Sequence, residues 1–88
     1  MDIEIYLPDG EPVEIDSLAG EILTIRSPRA FPPGAPLALE LNANAERFPI
    51  AAKTIGSRRN DDGTFELRVR LVSLRRDYRM LIERFLTG

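Results

Sequence analysis

The chain has 88 residues, of which 43% are hydrophobic and 30% charged, and its formal net charge is −2. This length accommodates one domain with a small core, and we treat residues 1–88 as that domain. Cysteine and histidine are both absent, which excludes disulfide bonds, thiolate metal sites and histidine-based catalysis, so we expect no enzymatic activity. No apolar run approaches the ~20 residues of a membrane span. Because the acidic start is also unlike a signal peptide, we predict a cytoplasmic protein without membrane insertion.

The charged residues are distributed unevenly along the chain. Residues 1–46 carry a net charge of −7, whereas residues 47–88 carry +5, and eleven of the twelve basic residues are arginine. One interpretation is that the two halves of the chain neutralise each other across shared surfaces of the fold. The other is that the folded molecule has an acidic face and a basic face.

Alternating apolar and polar residues predict three strands at the start of the chain. The first is predicted at 2–7 and the second at about 12–16, and turn residues at 8–10 join them into a hairpin. Residues 17–20 interrupt the alternation, and a third strand is predicted at 21–26.

A proline-rich segment precedes three further predicted strands. Residues 27–36 contain four of the seven prolines and therefore predict an ordered loop. Strands follow at 37–41, about 48–57 and 65–71, and a polar hairpin loop at 58–63 joins the last two. The side chains predicted to be buried are those of Ile5, Val13, Leu39, Leu41, Ile50, Phe65, Leu67 and Val69.

Near the end of the chain the apolar spacing becomes helical. It predicts a helix at about 74–86 with Ser73 as its N-cap. The apolar stripe expected to cover the strands consists of Leu74, Tyr78, Leu81, Ile82 and Phe85. Closure into a barrel is the most economical arrangement of six short antiparallel strands, because it removes exposed strand edges. We therefore predict an all-β fold with a C-terminal helix, a six-stranded antiparallel β-barrel whose helix plugs one open end or lies across it.

Ser17-x-x-Gly20 is the most informative short motif. It follows Asp16 directly, and a hydroxyl with a conformationally free glycine can form a tight turn with anion-accessible amides.

Glu14, Asp16 and Glu21 are close enough in sequence to suggest a divalent cation, but solvated turn carboxylates are the preferred interpretation, so no metal site is predicted. Binding of single-stranded nucleic acid needs a basic groove with aromatic platforms, whereas most aromatic residues here fall at core positions, so nucleic acid is the least favoured ligand.

The context of this motif resembles the PilZ domain family. The similar stretches are Val13-Glu14-Ile15-Asp16-Ser17-Leu18-Ala19-Gly20-Glu21-Ile22-Leu23, Pro33-Gly34-Ala35-Pro36-Leu37-Ala38-Leu39-Glu40-Leu41, the segment from Asp62-Gly63-Thr64-Phe65 to Leu74, and Leu81-Ile82-Glu83-Arg84-Phe85-Leu86. The resemblance implies a six-stranded antiparallel barrel followed by a helix, and a bacterial second messenger, cyclic di-GMP, as the typical ligand. In that family an R-x-x-x-R segment before the first strand clamps the phosphates, and a D/N-x-S-x-x-G stretch holds the other edge.

The sequence departs from the PilZ pattern at the positions that hold the ligand. Ser17 and Gly20 match, but Ile15 stands at the D/N position and Asp16 lies one residue out of register. No arginine precedes Arg26, so the R-x-x-x-R clamp and its charge-assisted bonds are missing from this sequence. The resemblance then implies a divergent member that has lost cyclic di-GMP binding and acts through contacts with another protein in pilus assembly, motility or signalling. We expect no cofactor.

The alternative is a cyclic di-GMP receptor that uses substitute arginines. Its partial site comprises Asp16, Ser17, Gly20 and Arg26, and the further substitutes are Arg29, Arg58 and Arg59, or a clamp borrowed from a partner chain. For a protein partner, we predict the outer face of the helix as the docking surface, because Arg76, Met80 and Arg84 combine an apolar centre with flanking arginines. The sequence identifies neither this partner nor the oligomeric state.

Overall fold

A computed structural model describes residues 3–87 as six strands and one helix. The strands are β1 (Ile3–Tyr6), β2 (Pro12–Ala19), β3 (Ile22–Ser27), β4 (Pro36–Ala43), β5 (Glu46–Arg59) and β6 (Phe65–Leu71), and the helix is α1 (Arg76–Thr87). Each predicted element is present in the predicted order. Residue 2, where the first strand was predicted to begin, lies outside the described residues.

The six strands form a closed barrel. They follow the order β1-β2-β3-β6-β5-β4 around the ring, and every neighbouring pair is antiparallel. The predicted six-stranded antiparallel barrel with a C-terminal helix is therefore confirmed. Within residues 3–87 the shortest ladder joins β1 to β2 through two residue pairs, Ile5 with Val13 and Tyr6 with Pro12.

Inward-facing aliphatic side chains from all six strands fill the barrel. Ile5, Leu41 and Leu67 have no exposed surface. Seven of the eight side chains predicted to be buried are buried, and Phe65 is the exception, because it is only half-buried. Phe65 is the first residue of β6, so it lies at the end of the barrel that α1 does not cover.

A β-bulge makes β2 longer than predicted. The pairing of β2 with β3 shifts register between Ile15 and Ser17, which leaves Asp16 as the extra residue. Beyond the bulge Leu18 packs against the core, as Ile15 does before it, so the inward residues are three positions apart and the period of two is lost. The alternation is therefore interrupted as predicted, but the predicted end of the strand at about residue 16 is wrong, because residues 17–19 continue it.

α1 lies across one end of the barrel, as predicted. Ile82 is completely buried in the core, and Leu74, Tyr78 and Leu81 pack against the core from the same stripe. The Tyr78 ring also packs on Phe48 of β5, with the ring centroids 4.7 Å apart. The aromatic contact holds the first turn of the helix against the barrel wall.

Two details of the predicted helix are wrong. Ser73 is not the N-cap, because its φ is 54° and the helix begins only at Arg76. Asp77 instead accepts a hydrogen bond from the backbone N–H of Tyr78 (3.2 Å), and its negative charge is favourable in the first turn of a helix. Phe85 was predicted to cover the barrel but is 36% exposed, because it lies beside the short β1–β2 ladder and lines an open groove there.

Asp62 orders the loop between β5 and β6. One of its carboxylate oxygens accepts hydrogen bonds from the backbone N–H (2.9 Å) and the hydroxyl (2.6 Å) of Thr64. These hydrogen bonds hold the pKa of Asp62 below its ordinary value, because they stabilise the charged form.

We expect the lowered pKa of Asp62 to make the hairpin sensitive to acid. A carboxyl whose pKa is lower in the folded state contributes stability above its unfolded pKa, and this contribution is lost as the pH falls through the folded pKa. The stability difference between the protein and Asp62→Asn should therefore shrink below about pH 4, measured by urea denaturation with Asp61→Asn as the charge-matched control. An NMR titration that places the pKa of Asp62 at or above its ordinary value would contradict this prediction.

Candidate functional site

The four predicted ligand-binding residues all lie on the hairpin formed by β2 and β3. Asp16 is the bulged residue of β2, Ser17 pairs with Thr24 of β3, and both Asp16 and Ser17 are exposed. Gly20 occupies the turn with a φ of 59°, a left-handed value that glycine adopts without strain. Arg26 lies near the far end of β3. The four residues are therefore spread along one hairpin.

The turn of this hairpin accepts hydrogen bonds from the helix and from the end of β6. Arg79 Nη1 donates a hydrogen bond to the carbonyl oxygen of Gly20 (2.6 Å), and the N–H of Leu71 donates to the carbonyl oxygen of Glu21 (2.8 Å). The predicted tight turn with anion-accessible amides at 17–20 is wrong, because most of that segment is paired strand. The sequence analysis did not identify Arg79, because only the folded arrangement of the strands and the helix brings it next to this turn.

A carboxylate engages Arg26. Nη1 of Arg26 lies 3.6 Å from Oε2 of Glu14, and Glu14 is the residue of β2 directly opposite Arg26. Residues 12–27, which form this hairpin, contain three carboxylates and one arginine. The hairpin's own residues are therefore net negative, and their carboxylates repel phosphate groups.

Ile15 occupies the position where the PilZ pattern has Asp or Asn. Its side chain is half-buried and packs against the core, two residues before Ser17. A carboxylate in this place would lose core contacts and be partly removed from water, which is unfavourable for a charged group. The departure from the family pattern at residue 15 thus has a structural reason.

The other substitute arginines lie at the opposite end of the barrel from the β2–β3 turn. Arg29 forms an ion pair with Asp9, and Arg58 Nη2 lies 3.3 Å from Oε2 of Glu66. Arg59 is exposed at the end of β5. Because the strands separate these side chains from the turn, they do not complete a shared site with Ser17.

The residues predicted for the protein-docking surface do share one face of α1. Arg76, Met80 and Arg84 follow one another at intervals of four residues, and all three are exposed. Met80 is 44% exposed, which confirms that it lies outside the stripe covering the barrel. The outer helix face therefore presents an apolar centre between two guanidinium groups.

A second apolar surface lies where the chain leaves β6 for the helix. A groove of about 340 Å³ there is lined by residues that include Val72, Leu74, Arg75 and Tyr78. Val72 is 48% exposed, and the guanidinium carbon of Arg75 lies 5.2 Å from the centroid of the Tyr78 ring. The sequence analysis missed this groove, because Val72 comes directly after the alternating residues of β6 and no motif marks it as part of a surface.

No helix within residues 3–87 is long and apolar enough to cross a membrane. Among the same residues, no group of three or more Asp or Glu side chains is placed to hold a metal ion. Neither a scan against protein-family models nor searches of curated proteins and of solved structures found a match to this chain.

Proposed function

We propose that this chain is a PilZ-like adaptor of bacterial signalling or motility that does not bind cyclic di-GMP and acts by contacting another protein. The observation that supports the absence of cyclic di-GMP binding is the Glu14–Arg26 ion pair on a net negative hairpin. This ion pair engages Arg26, the arginine nearest in sequence to the Ser17-x-x-Gly20 motif.

Cyclic di-GMP carries two phosphates and is held in PilZ proteins by arginine. Charge-assisted bidentate bonds of this kind need guanidinium groups that face the ligand. For Arg26 to supply one, its contact with Glu14 must break, and the freed carboxylate then lies beside the phosphate. Residues 1–25 contain no arginine that can replace it.

The outer face of α1 supports the second part of the proposal. Arg76, Met80 and Arg84 are exposed in one line, whereas Ile82 on the opposite side of the helix is buried. Exposed methionine adapts to different contact surfaces, and arginine is enriched at the energetic centres of interfaces. An acidic patch with an apolar centre is the partner surface that complements this face.

Calorimetric titration with cyclic di-GMP tests the first part. We expect no saturable binding with a Kd below about 10 μM, which corresponds to roughly −7 kcal/mol. The same titration on Ser17→Ala and Arg26→Ala provides the matched variants. Low-micromolar binding to the unchanged protein that disappears in either variant would show that the hairpin is a working cyclic di-GMP site and would refute the proposal.

A further inference from the structure

The strands divide the barrel wall into an acidic arc and a basic arc. β4, β1 and β2 are consecutive around the closed sheet, and they contain four carboxylates and no basic residue. β3, β6 and β5 complete the ring and contain seven basic and two acidic residues, a net charge of +5. In this ring of six strands β1 lies opposite β6, so the two arcs face in opposite directions.

Ion pairs do not cancel this separation of charge. Residues 3–87 contain four ion pairs, and each of them joins two residues from the same half of the chain. Among these four pairs of the described residues, the pair between Glu14 and Arg26 is the one that connects the two arcs, at the border of β2 and β3. Of the two interpretations of the uneven charge, acidic and basic faces are therefore the one that agrees with the structure.

Lys53, Arg68 and Arg70 form a cluster on the outside of β5 and β6, which we call the basic face. Arg70 lies directly opposite Lys53, and Arg68 lies opposite Gly56, where a side chain would meet nothing within 4 Å. None of the three cations takes part in an ion pair of the described residues. Like charges directly opposite each other destabilise a sheet, so the fold itself gains nothing from this cluster.

Apolar side chains accompany these cations. Ile22 lies opposite Arg70 on β3, and Ile55 lies at the β-bulge of β5 beside Gly56; both isoleucines are half-buried. Arginine next to partly exposed aliphatic surface is the composition found at the centres of interfaces. The basic face is thus suited to docking a carboxylate-bearing protein surface.

Glu4 of β1 and Glu40 of β4 form the acidic face. Tyr6 lies opposite Glu40 and donates a hydrogen bond from its hydroxyl to Oε2 of Glu4 (2.6 Å), and this contact raises the pKa of Tyr6. A groove of about 350 Å³ runs beside Glu40, with walls that include Pro49. Arg47 of β5 also borders this groove and pairs with Asn42, the residue opposite Glu4.

The two faces match in spacing as well as in charge. Glu4 pairs with Asn42, two residues from Glu40, so the two glutamates are diagonal neighbours, about 7–8 Å apart. Arg68 and Arg70 are two residues apart on one strand, which separates them by about 7 Å. Two guanidinium groups of one molecule can therefore meet two carboxylates of another at the same time.

We propose that this protein associates head to tail with further copies of itself, the basic face of one molecule docking on the acidic face of the next. Because the two faces lie on separate pairs of strands, one contact leaves a free face at each end. Such a head-to-tail interface is not self-complementary, so it generates a chain of molecules, or a ring where the rotation closes, rather than a dimer.

Sedimentation analysis of the whole protein tests the proposal. In about 20 mM NaCl the average mass should rise continuously with protein concentration up to about 1 mM, and about 500 mM NaCl should weaken the association at least tenfold, because salt screens surface charges. Arg68→Glu with Arg70→Glu, and separately Glu4→Lys with Glu40→Lys, should each yield monomers. Mixing the two variants should restore association, since each then offers the charge that the other needs.

Arg76→Glu with Arg84→Glu is the matched control, because it makes the same change of charge on the outer face of α1. It should leave the self-association unchanged, which separates this proposal from the proposed docking role of the helix. Should Arg68→Glu with Arg70→Glu fail to fold by circular dichroism, Arg68→Gln with Arg70→Gln removes the same cations without adding carboxylates. Three results would each overturn the proposal: a monomer at about 1 mM in low salt, assembly that stops at a dimer, or equal loss of association in the helix control.

Discussion

Replacing Leu67 with alanine is expected to lower the free energy of unfolding by about 2–5 kcal/mol. Leu67 has no exposed surface and lies on β6 between Ile25 of β3 and Ser57 of β5. The ladders on both sides hold the backbone in place, so the surrounding side chains fill the resulting cavity only in part. A domain of this size has a total stability of roughly 4–13 kcal/mol, and the substitution therefore removes a large share of it.

Urea denaturation followed by circular dichroism measures this loss. Phe65→Ala is the matched comparison, since Phe65 lies on the same strand but is half-buried at the end of the barrel that α1 does not cover. Although it removes a larger side chain, Phe65→Ala should destabilise the protein less than Leu67→Ala. The reverse order of the two values would place the packed centre of the barrel at Phe65 and contradict the structure.

Regular strands of this fold could be predicted from the sequence because one face of each is buried. β6 is the clearest case, since its predicted and observed limits are both 65–71 and its inward residues alternate without interruption. β2 could not be predicted in full, because the bulge at Asp16 displaces the alternation by one residue. A bulge has no composition of its own, so the pattern beyond it resembles a turn.

The candidate site was less predictable than the fold, because its properties depend on contacts between distant segments. Serine and glycine at positions 17 and 20 are visible in the sequence, but the engagement of Arg26 by Glu14 depends on the register of two strands. The contact of Arg79 with Gly20 joins residues 59 positions apart. Local patterns contain no information about such pairs.

The uneven charge shows what the composition alone can predict about the surface and what it cannot. The opposite charges of the two halves of the chain are evident from the sequence, but two halves of opposite charge can neutralise each other in a fold. The order of the strands around the closed barrel distinguishes neutralised halves from separate charged faces, because it places β4, β1 and β2 side by side and β6 opposite β1. The separation of charge is thus a property of the topology.

The outer face of α1 is the surface whose alteration should most affect capture of another protein. We expect Met80→Asp combined with Arg84→Glu to weaken partner capture at least tenfold, because the change removes the apolar centre and reverses one of the flanking charges. Both side chains are exposed, so the Tm should change by only a few degrees, at most about 5 °C. The measurement is quantitative capture on the immobilised protein, followed by the affinity of each isolated partner for protein and variant.

Val72→Asp combined with Arg59→Glu is the control for this variant, since it changes one exposed apolar residue and one exposed arginine in the same way outside the helix. It should retain partner capture. If the control loses capture and the helix variant retains it, the partner docks at Val72 or at Arg59 instead, and the two single variants distinguish these sites. If the helix variant unfolds, Met80 packs in the core and the observed orientation of α1 is wrong. When both variants fold and bind as the unchanged protein does, neither surface is the docking site, and the acidic arc of β4, β1 and β2 becomes the next surface to alter.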